Sequence, residues 1–428
     1  MTKQGRLLLG AVLAVISCRR TQSAPVPDGS PEGGATTVAP SARVPLAPRC
    51  KVATTGPLLS QGGGEIEVGD AFPFGDRVAV GFVRRAARDA TAGVALVGTD
   101  LSANEADVGL VRGDDPAPKP FALGPRLFAA GITRSRGDAG PAAGGLSWFR
   151  IDGARVSTAA VTALPHDDSP AFDVAAGESG ALAAWEEVAT GTTRGLVKVA
   201  AFDGDHAELV VPVSPDATDA DAPQVAVRTG GYWVSWMAHR PEAAPEGVEA
   251  GPQIEAPGEG REYRWVEILA VDASGKPAGA PRRVTLATSH VSAYALVARS
   301  DGDLDVIVAD PEETREGAGG RIVRVVVQAD AIEAPVVLLP EGVGRGAPAA
   351  IAASSGSAPW LTFSDLTDHV GLLPLGAFTP DPSVEPSLED ARPLAILGQR
   401  LLAIRGKGGR LVAMECGTSA SPPLAPLP

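Results

Sequence analysis

Residues 223–236 read PQVAVRTGGYWVSW. A short run rich in Val and Ala, a Gly230-Gly231 break and a second run carrying Tyr232, Trp233 and Trp236 have the pattern of two strands joined by a tight turn. The unit recurs. Pro170-Ala171-Phe172-Asp173-Val174-Ala175 leads through Gly177 and Gly180 to Leu182-Ala183-Ala184-Trp185. Tyr294-Ala295-Leu296-Val297 leads through Asp301-Gly302 to Leu304-Asp305-Val306-Ile307-Val308. A fourth copy runs from Pro348 through Gly356 to Trp360-Leu361-Thr362-Phe363.

A further strand, closing on Asp, follows the hairpin. It reads Leu196 to Asp203 in one unit and Trp265 to Asp272 in another, and Trp148 to Asp152 and Ala95 to Asp100 fit the same form. These aspartates stand at 100, 152, 203 and 272, in steps of 52, 51 and 69. The longest step contains Arg240 to Glu262, an acidic insert rich in Pro and Gly, and without part of it the period is close to fifty. Four strands in about 40–50 residues is the period of a propeller blade. Units at 65–118, 119–164, 165–217, 218–288, 289–341 and 342–392 give six. Leu394 to Glu415 holds about three strands more, and Lys51 to Leu59 can supply the fourth. The sequence thus predicts an all-β chain, a β-propeller of seven four-stranded blades closed by N- and C-terminal strands, with six as the alternative count.

Composition agrees with a β-rich body. Gly (51) and Pro (38) punctuate the whole chain of 428 residues, aromatic residues are 4% and hydrophobic ones 44%, so the core must be built from small side chains. The formal charge is −14, or −16 once Lys3 and Arg6 are removed with residues 1–17. Such a surface repels phosphate backbones, which excludes nucleic acid as the expected partner.

Lys3 and Arg6 precede an apolar run from Leu7 to Ser17. That run is too short to stay as a span, because crossing the hydrocarbon takes about 20 apolar residues. It predicts a cleaved signal at 1–17. Arg19 to Arg49 has no hydrophobic period and is rich in Pro, Ala, Ser and Gly, so 18–49 is read as a disordered tether with an r.m.s. span of roughly 30 Å. Residues 50–416 form the predicted propeller, and 417–428 a disordered tail.

Val15-Ile16-Ser17-Cys18 resembles the lipobox of bacterial lipoproteins. The resemblance implies that Cys18 is the lipidation site and that the chain meets the membrane through that lipid. Arg19, rather than Asp, after the cysteine implies the outer membrane by the enterobacterial sorting rule. With Cys18 set aside, Cys50 and Cys416 bracket the folded region in a compartment that permits oxidation. A Cys50–Cys416 disulfide is the economical reading, and two unrelated thiols the alternative. The lipobox, the Pro-rich tether and the Trp- and Asp-marked repeats together resemble propeller-bearing lipoproteins of the myxobacterial kind, a likeness that brings no activity with it.

Candidate site residues are few. Asp301-Gly302-Asp303-Leu304-Asp305 resembles the end of the calcium-binding turn of FG-GAP propellers, but Ala298-Arg299-Ser300 stands where that family has acidic residues, and a plain hairpin turn is the simpler reading. Asp216, Asp219 and Asp221 form an acidic loop before a strand, and Asp167-Asp168 stands equivalently; solvated loops are expected at both. The histidines are His166, His206, His239, His290 and His369, with no HExxH and no close pair. Trp148, Trp185, Trp233, Trp236, Trp265 and Trp360 fall mostly at equivalent repeat positions and are read as packing between blades, with sugar stacking as the alternative. There is no GxSxG, no Walker loop and no βαβ GxGxxG. No catalytic residue, metal ligand or cofactor is therefore assigned. The expected function is a tethered monomer that binds an envelope protein or a glycan; the rival is a hydrolase or lyase with carboxylates converging on the propeller axis.

Overall fold

The computed structural model describes residues 50–416 apart from 60–64, 86–89, 113–114, 135–143, 164–170, 190, 209, 242–261, 300, 311–320, 340–345, 354–359, 365–369, 376–387, 389–390, 398–399 and 407. The signal, the tether with Cys18, the tail, His166, His369, Asp167-Asp168 and most of the acidic insert lie outside the described residues.

The chain is a seven-bladed β-propeller. Blade 1 pairs Glu65–Phe74, Arg77–Arg85, Ala90–Gly98 and Ala103–Val111 in sequence order. Blade 2 follows with Lys119–Leu123, Arg126–Arg134, Gly144–Asp152 and Arg155–Ala163. Blade 3 has Phe172–Ala176, Ala181–Val188, Gly195–Phe202 and Val211–Pro212. Blade 4 has Asp219–Arg228, Gly231–Pro241, Glu262–Asp272 and Arg282–Arg283, and blade 5 has Ala293–Ala298, Leu304–Asp310, Arg321–Val327 and Val336–Leu339. Blade 6 pairs Gly346–Ala353, Trp360–Ser364 and Val370–Pro374, with Leu388 bridged to Val370 at the fourth place. Blade 7 is composite. Ala391–Leu397, Arg400–Arg405 and Arg410–Cys416 come from the C-terminal end, and Cys50–Leu58 adds the outer strand. The repeat units read from the sequence correspond to these blades, and seven is the count.

Closure is also visible in the packing. Seven main apolar clusters each join two neighbouring blades. One sets Ala79 and Val94 of blade 1 against Leu127 and Phe149 of blade 2, and another sets Val78 and Phe82 of blade 1 against Leu402 and Leu411 of blade 7. The remaining clusters occupy the seams 2/3, 3/4, 4/5, 5/6 and 6/7. Seven seams for seven blades require a ring. Because a blade meets a neighbour on both faces, its second strand is buried on both. Arg77–Arg85 accordingly has six consecutive buried residues, and its sequence is a continuous apolar run rather than an alternating one.

Small side chains let the blades approach. A Cβ added at Gly81 of blade 1 would lie 1.7 Å from the Pro118 carbonyl oxygen, a contact no side chain can make. Aromatic rings fill part of the seam between blades 2 and 3. Trp148 stacks on Phe202 with centroids 4.7 Å apart, and Phe121 and Phe128 meet the same Phe202 edge-on. Trp148, Trp185, Trp233, Trp236 and Trp265 are all buried in such seams, and Trp360 is half-buried in the seam of blades 6 and 7. Truncating a ring such as Trp148 to Ala carries a cost of about 3–5 kcal/mol. Tyrosine hydroxyls cross two seams: Tyr232 donates to Gly180 O at 2.7 Å and Tyr294 to Ala222 O at 2.7 Å.

In the closing blade Cys50 pairs with Cys416 in register. The outer strand is mostly exposed and carries two register shifts, Val52/Thr54 and Thr55/Leu58. Bulges of this kind spoil an open edge as a template for further strands.

Candidate functional site

The inner strands of all seven blades face a common axial cavity of about 820 Å³. Its size is that of a small-molecule site. Apolar groups such as Phe72, Val174, Leu296, Ile351 and Leu394 line it, and among the described residues its charged lining residues are Asp70, Lys119, Asp173 and Arg392.

The fold brings these four residues together. Lys119, Asp173 and Gln224 occupy equivalent places, each the inner-strand partner of a second-strand residue: Ala130, Ala184 and Ser235 respectively. Lys119 Nζ lies 2.7 Å from Asp70 Oδ2 and 2.9 Å from Asp173 Oδ1, linking blades 1, 2 and 3. Burial opposes the ammonium charge, but Asp173 and Asp70 together outweigh it and hold the lysine well above its ordinary range. Lys119 in turn holds the Asp70 carboxyl below the usual carboxylate range, against burial and with help from Arg392. Lys119 and Asp70 are therefore both charged at neutral pH. Arg392 donates to Val68 O.

Beyond Lys119 the wall is knitted together. Asp173 Oδ2 accepts from Val225 N at 2.8 Å. Gln224 repeats that move one blade later: its Oε1 accepts from Leu296 N at 3.1 Å and its Nε2 donates to Tyr294 O at 2.7 Å. The Tyr294 hydroxyl accepts from Ser235 Oγ at 3.2 Å while donating to Ala222 O. Burial pushes this phenol far above its ordinary range. Ala222, which also lines the cavity, has φ of +46°, a left-handed conformation unusual for a residue with a Cβ.

A second polar group gathers where the inner strand of blade 4 begins. His239 lies 3.4 Å from Asp219, 3.8 Å from Asp221 and 3.6 Å from Glu262, and Arg264 reaches Glu262 at 3.4 Å. Asp219 also accepts from Gly195 N at 2.7 Å, and Glu186 of blade 3 accepts from Ala222 N at 3.3 Å. Burial pushes the Asp221 and Glu186 carboxyls above the usual carboxylate range. Asp219 and Asp221 thus belong to a seam between blades 3 and 4, whereas Asp216 is exposed.

The other sequence candidates stand apart. Asp301 pairs with Arg299 at 3.1 Å and accepts from Asp303 N in the hairpin between the first two strands of blade 5, while Asp305 lies 3.8 Å from the same Arg299. The turn matches the hairpin reading. Among the described residues no group of three or more His, Cys, Asp or Glu is arranged to hold a metal ion. His290 sits before the inner strand of blade 5 with Nδ1 3.1 Å from Glu262 O, and His206 is exposed beside Asp203. Neither lines the axial cavity. The sequence reading did not single out Asp70, Lys119 or Arg392. Aligning Lys119 with Asp173 and Gln224 as a polar residue at one inner-strand position is the signal that points to the axis.

No protein-family profile and no curated protein matches the chain. Solved propeller structures do. The α-L-arabinofuranosidase of Fusarium graminearum aligns at 10% identity over 76% of this chain and 98% of its own, with a TM-score of 0.47. The α-L-arabinanase of Penicillium chrysogenum aligns at 10% identity over 76% and 97%, also with a TM-score of 0.47. Raptor of Chaetomium thermophilum aligns at 11% identity over 87% of this chain and 30% of its own, again with a TM-score of 0.47. At such identities and scores no ligand or activity passes from these proteins to this chain.

Proposed function

We propose that this chain is a bacterial lipoprotein of the cell envelope, anchored through lipid on Cys18, whose propeller is a binding module for a glycan or protein that enters the axial cavity. The observation that carries the binding reading is Lys119 held between Asp70 and Asp173. A general acid must hold a proton near the working pH. Asp70 is kept ionised and has no proton to give as a general acid, and both Asp173 oxygens are engaged by the protein. The anchor reading rests on Lys3, Arg6, the apolar run from Leu7 and the Ser17-Cys18 junction. A Cys50–Cys416 disulfide belongs to the same proposal. The two cysteines are register partners, and the Cα spacing of antiparallel partners, about 4.5–5.5 Å, lies within disulfide reach.

Fractionation of cells expressing the wild type, Cys18→Ala and Ala350→Trp tests both parts. Ala350 lines the cavity, so a Trp there fills it. The wild type is expected in the membrane fraction, Cys18→Ala in the soluble fraction, and an envelope ligand is expected on the wild type and not on Ala350→Trp. A Cys18→Ala protein that stays with the membrane removes the anchor; a ligand retained by Ala350→Trp removes the axial site.

A hydrolytic reading has one observation in its favour, the raised carboxyls of Glu186 and Asp221 beside the blade 3/4 seam. Hydrolysis of a polysaccharide panel, abolished in Glu186→Gln or Asp221→Asn with the fold intact, would replace the binding reading.

A further inference from the structure

We infer that the axial cavity takes the end of a neutral, hydroxyl-rich saccharide, held on one wall by Asp70 and Arg392. The inference rests on the binding reading and names its ligand class.

Charge is the first argument. Among the described residues the charged lining groups are two carboxylates, Asp70 and Asp173, one ammonium, Lys119, and one guanidinium, Arg392. They sum to zero. A guest bearing a net charge would enter without a counter-charge and would give up its hydration in a walled site. A neutral guest adds no such term. A polar lining that is neutral as a whole still offers strong donors and acceptors, because hydrogen bonds to charged groups are roughly twice as strong as neutral ones.

The second argument is where hydrogen-bonding capacity is left. On the described polar lining side chains of blades 3 to 5 it is consumed by the protein. Asp173 spends one oxygen on Lys119 and the other on Val225 N. Gln224 spends its amide on Tyr294 O and Leu296 N, and the Tyr294 hydroxyl lies between Ser235 and Ala222. Blades 7 and 1 differ. The Asp70 side chain is 56% exposed and has Lys119 as its ion-pair partner. Arg392 is exposed on the cavity lining and donates to Val68 O, a single bond for a group with five N–H donors. A carboxylate that accepts and a guanidinium that donates, on adjacent inner strands, match neighbouring hydroxyls, which do both. Phe72, on the same strand as Asp70, gives the apolar face of a sugar ring a surface.

Asp70→Asn and Arg392→Gln in the full-length protein test the idea, because they change charge in opposite senses. The probes are lactose and cellobiose as neutral saccharides, glucuronate as an anionic one, glucosamine as a cationic one and triglycine as a peptide end, read by saturation-transfer NMR and titration. Thermal unfolding of each variant establishes that it is folded, and Val337→Thr on the outer strand of blade 5 serves as the unaffected control. The expected result is that a neutral saccharide binds the wild type and that both variants weaken it about tenfold or more. For an anionic guest Asp70→Asn would strengthen binding while Arg392→Gln weakens it, and for a cationic guest the order reverses; either pattern overturns the inference. So does binding of triglycine alone, or of no probe. In those cases an envelope ligand still lost in Ala350→Trp would leave the axial binding module standing, and only its ligand class would fall.

Discussion

Lys119 Nζ lies 2.9 Å from the Asp173 carboxylate, tying the inner strand of the second blade to that of the third. Removing the cation leaves Asp173 and Asp70 facing each other across the vacated place. Breaking one member of a buried pair costs about 3–5 kcal/mol. Lys119 keeps 23% of its side-chain exposure, so the low end applies. Lys119→Met is expected to lower unfolding stability by about 3 kcal/mol in a denaturant titration. The further change Asp173→Leu is expected to recover part of that loss, since it removes the stranded charge.

The pH dependence of stability should carry two opposed contributions. Asp70 has a lowered carboxyl in the folded state, so the unfolded chain binds more protons in the acid range. Its contribution is present above the ordinary carboxylate range and is lost as pH falls through the folded value. Glu186 and Asp221 are raised by burial, so there the folded state binds more protons and stability falls as pH rises past the ordinary carboxylate range. Asp70→Asn is therefore expected to lower the melting temperature at about pH 8 more than at about pH 3, whereas Glu186→Gln should raise it at about pH 8 relative to about pH 4. Melting curves of the two variants across that range check both signs.

Tyr294→Phe isolates the hydroxyl that spans the seam of blades 4 and 5. The ring stays, so no cavity opens, but Ala222 O loses the hydroxyl donor, while Ser235 Oγ keeps Gln224 O at 3.4 Å. A buried group left unsatisfied costs about 1–3 kcal/mol. A loss in that range, seen by chemical denaturation, is expected. Faster amide exchange at Leu296, whose N–H is held by Gln224, should accompany it.

Closure through the composite blade should depend on Cys50 and Cys416. Cys50→Ser, Cys416→Ser and reduction of the wild type are each expected to lower the melting temperature, and the effects of mutation and reduction should not add. The chain-entropy model sets an upper value of about 5 kcal/mol for a cross-link over so long a loop. Mass spectrometry of non-reduced peptides should find Cys50 and Cys416 joined; equal masses before and after reduction would rule the bond out.

The amino-acid sequence by itself determined the blade. The step of about fifty residues between Asp100, Asp152 and Asp203, the hairpin glycines and the equivalent tryptophans are local features, because a strand, its turn and its partner are neighbours along the chain. The closing strand was legible because the last repeat lacked one strand, which Lys51 to Leu59 could supply. What the tertiary structure decided is the axis. Lys119 and Asp173 are 54 residues apart, and Arg392 and Val68 are 324 apart. Lys119, Asp173 and Arg392 each read singly as an ordinary polar residue in a strand. They become a site because the ring turns one face of every inner strand toward the same centre, and only closure of that ring sets their distances.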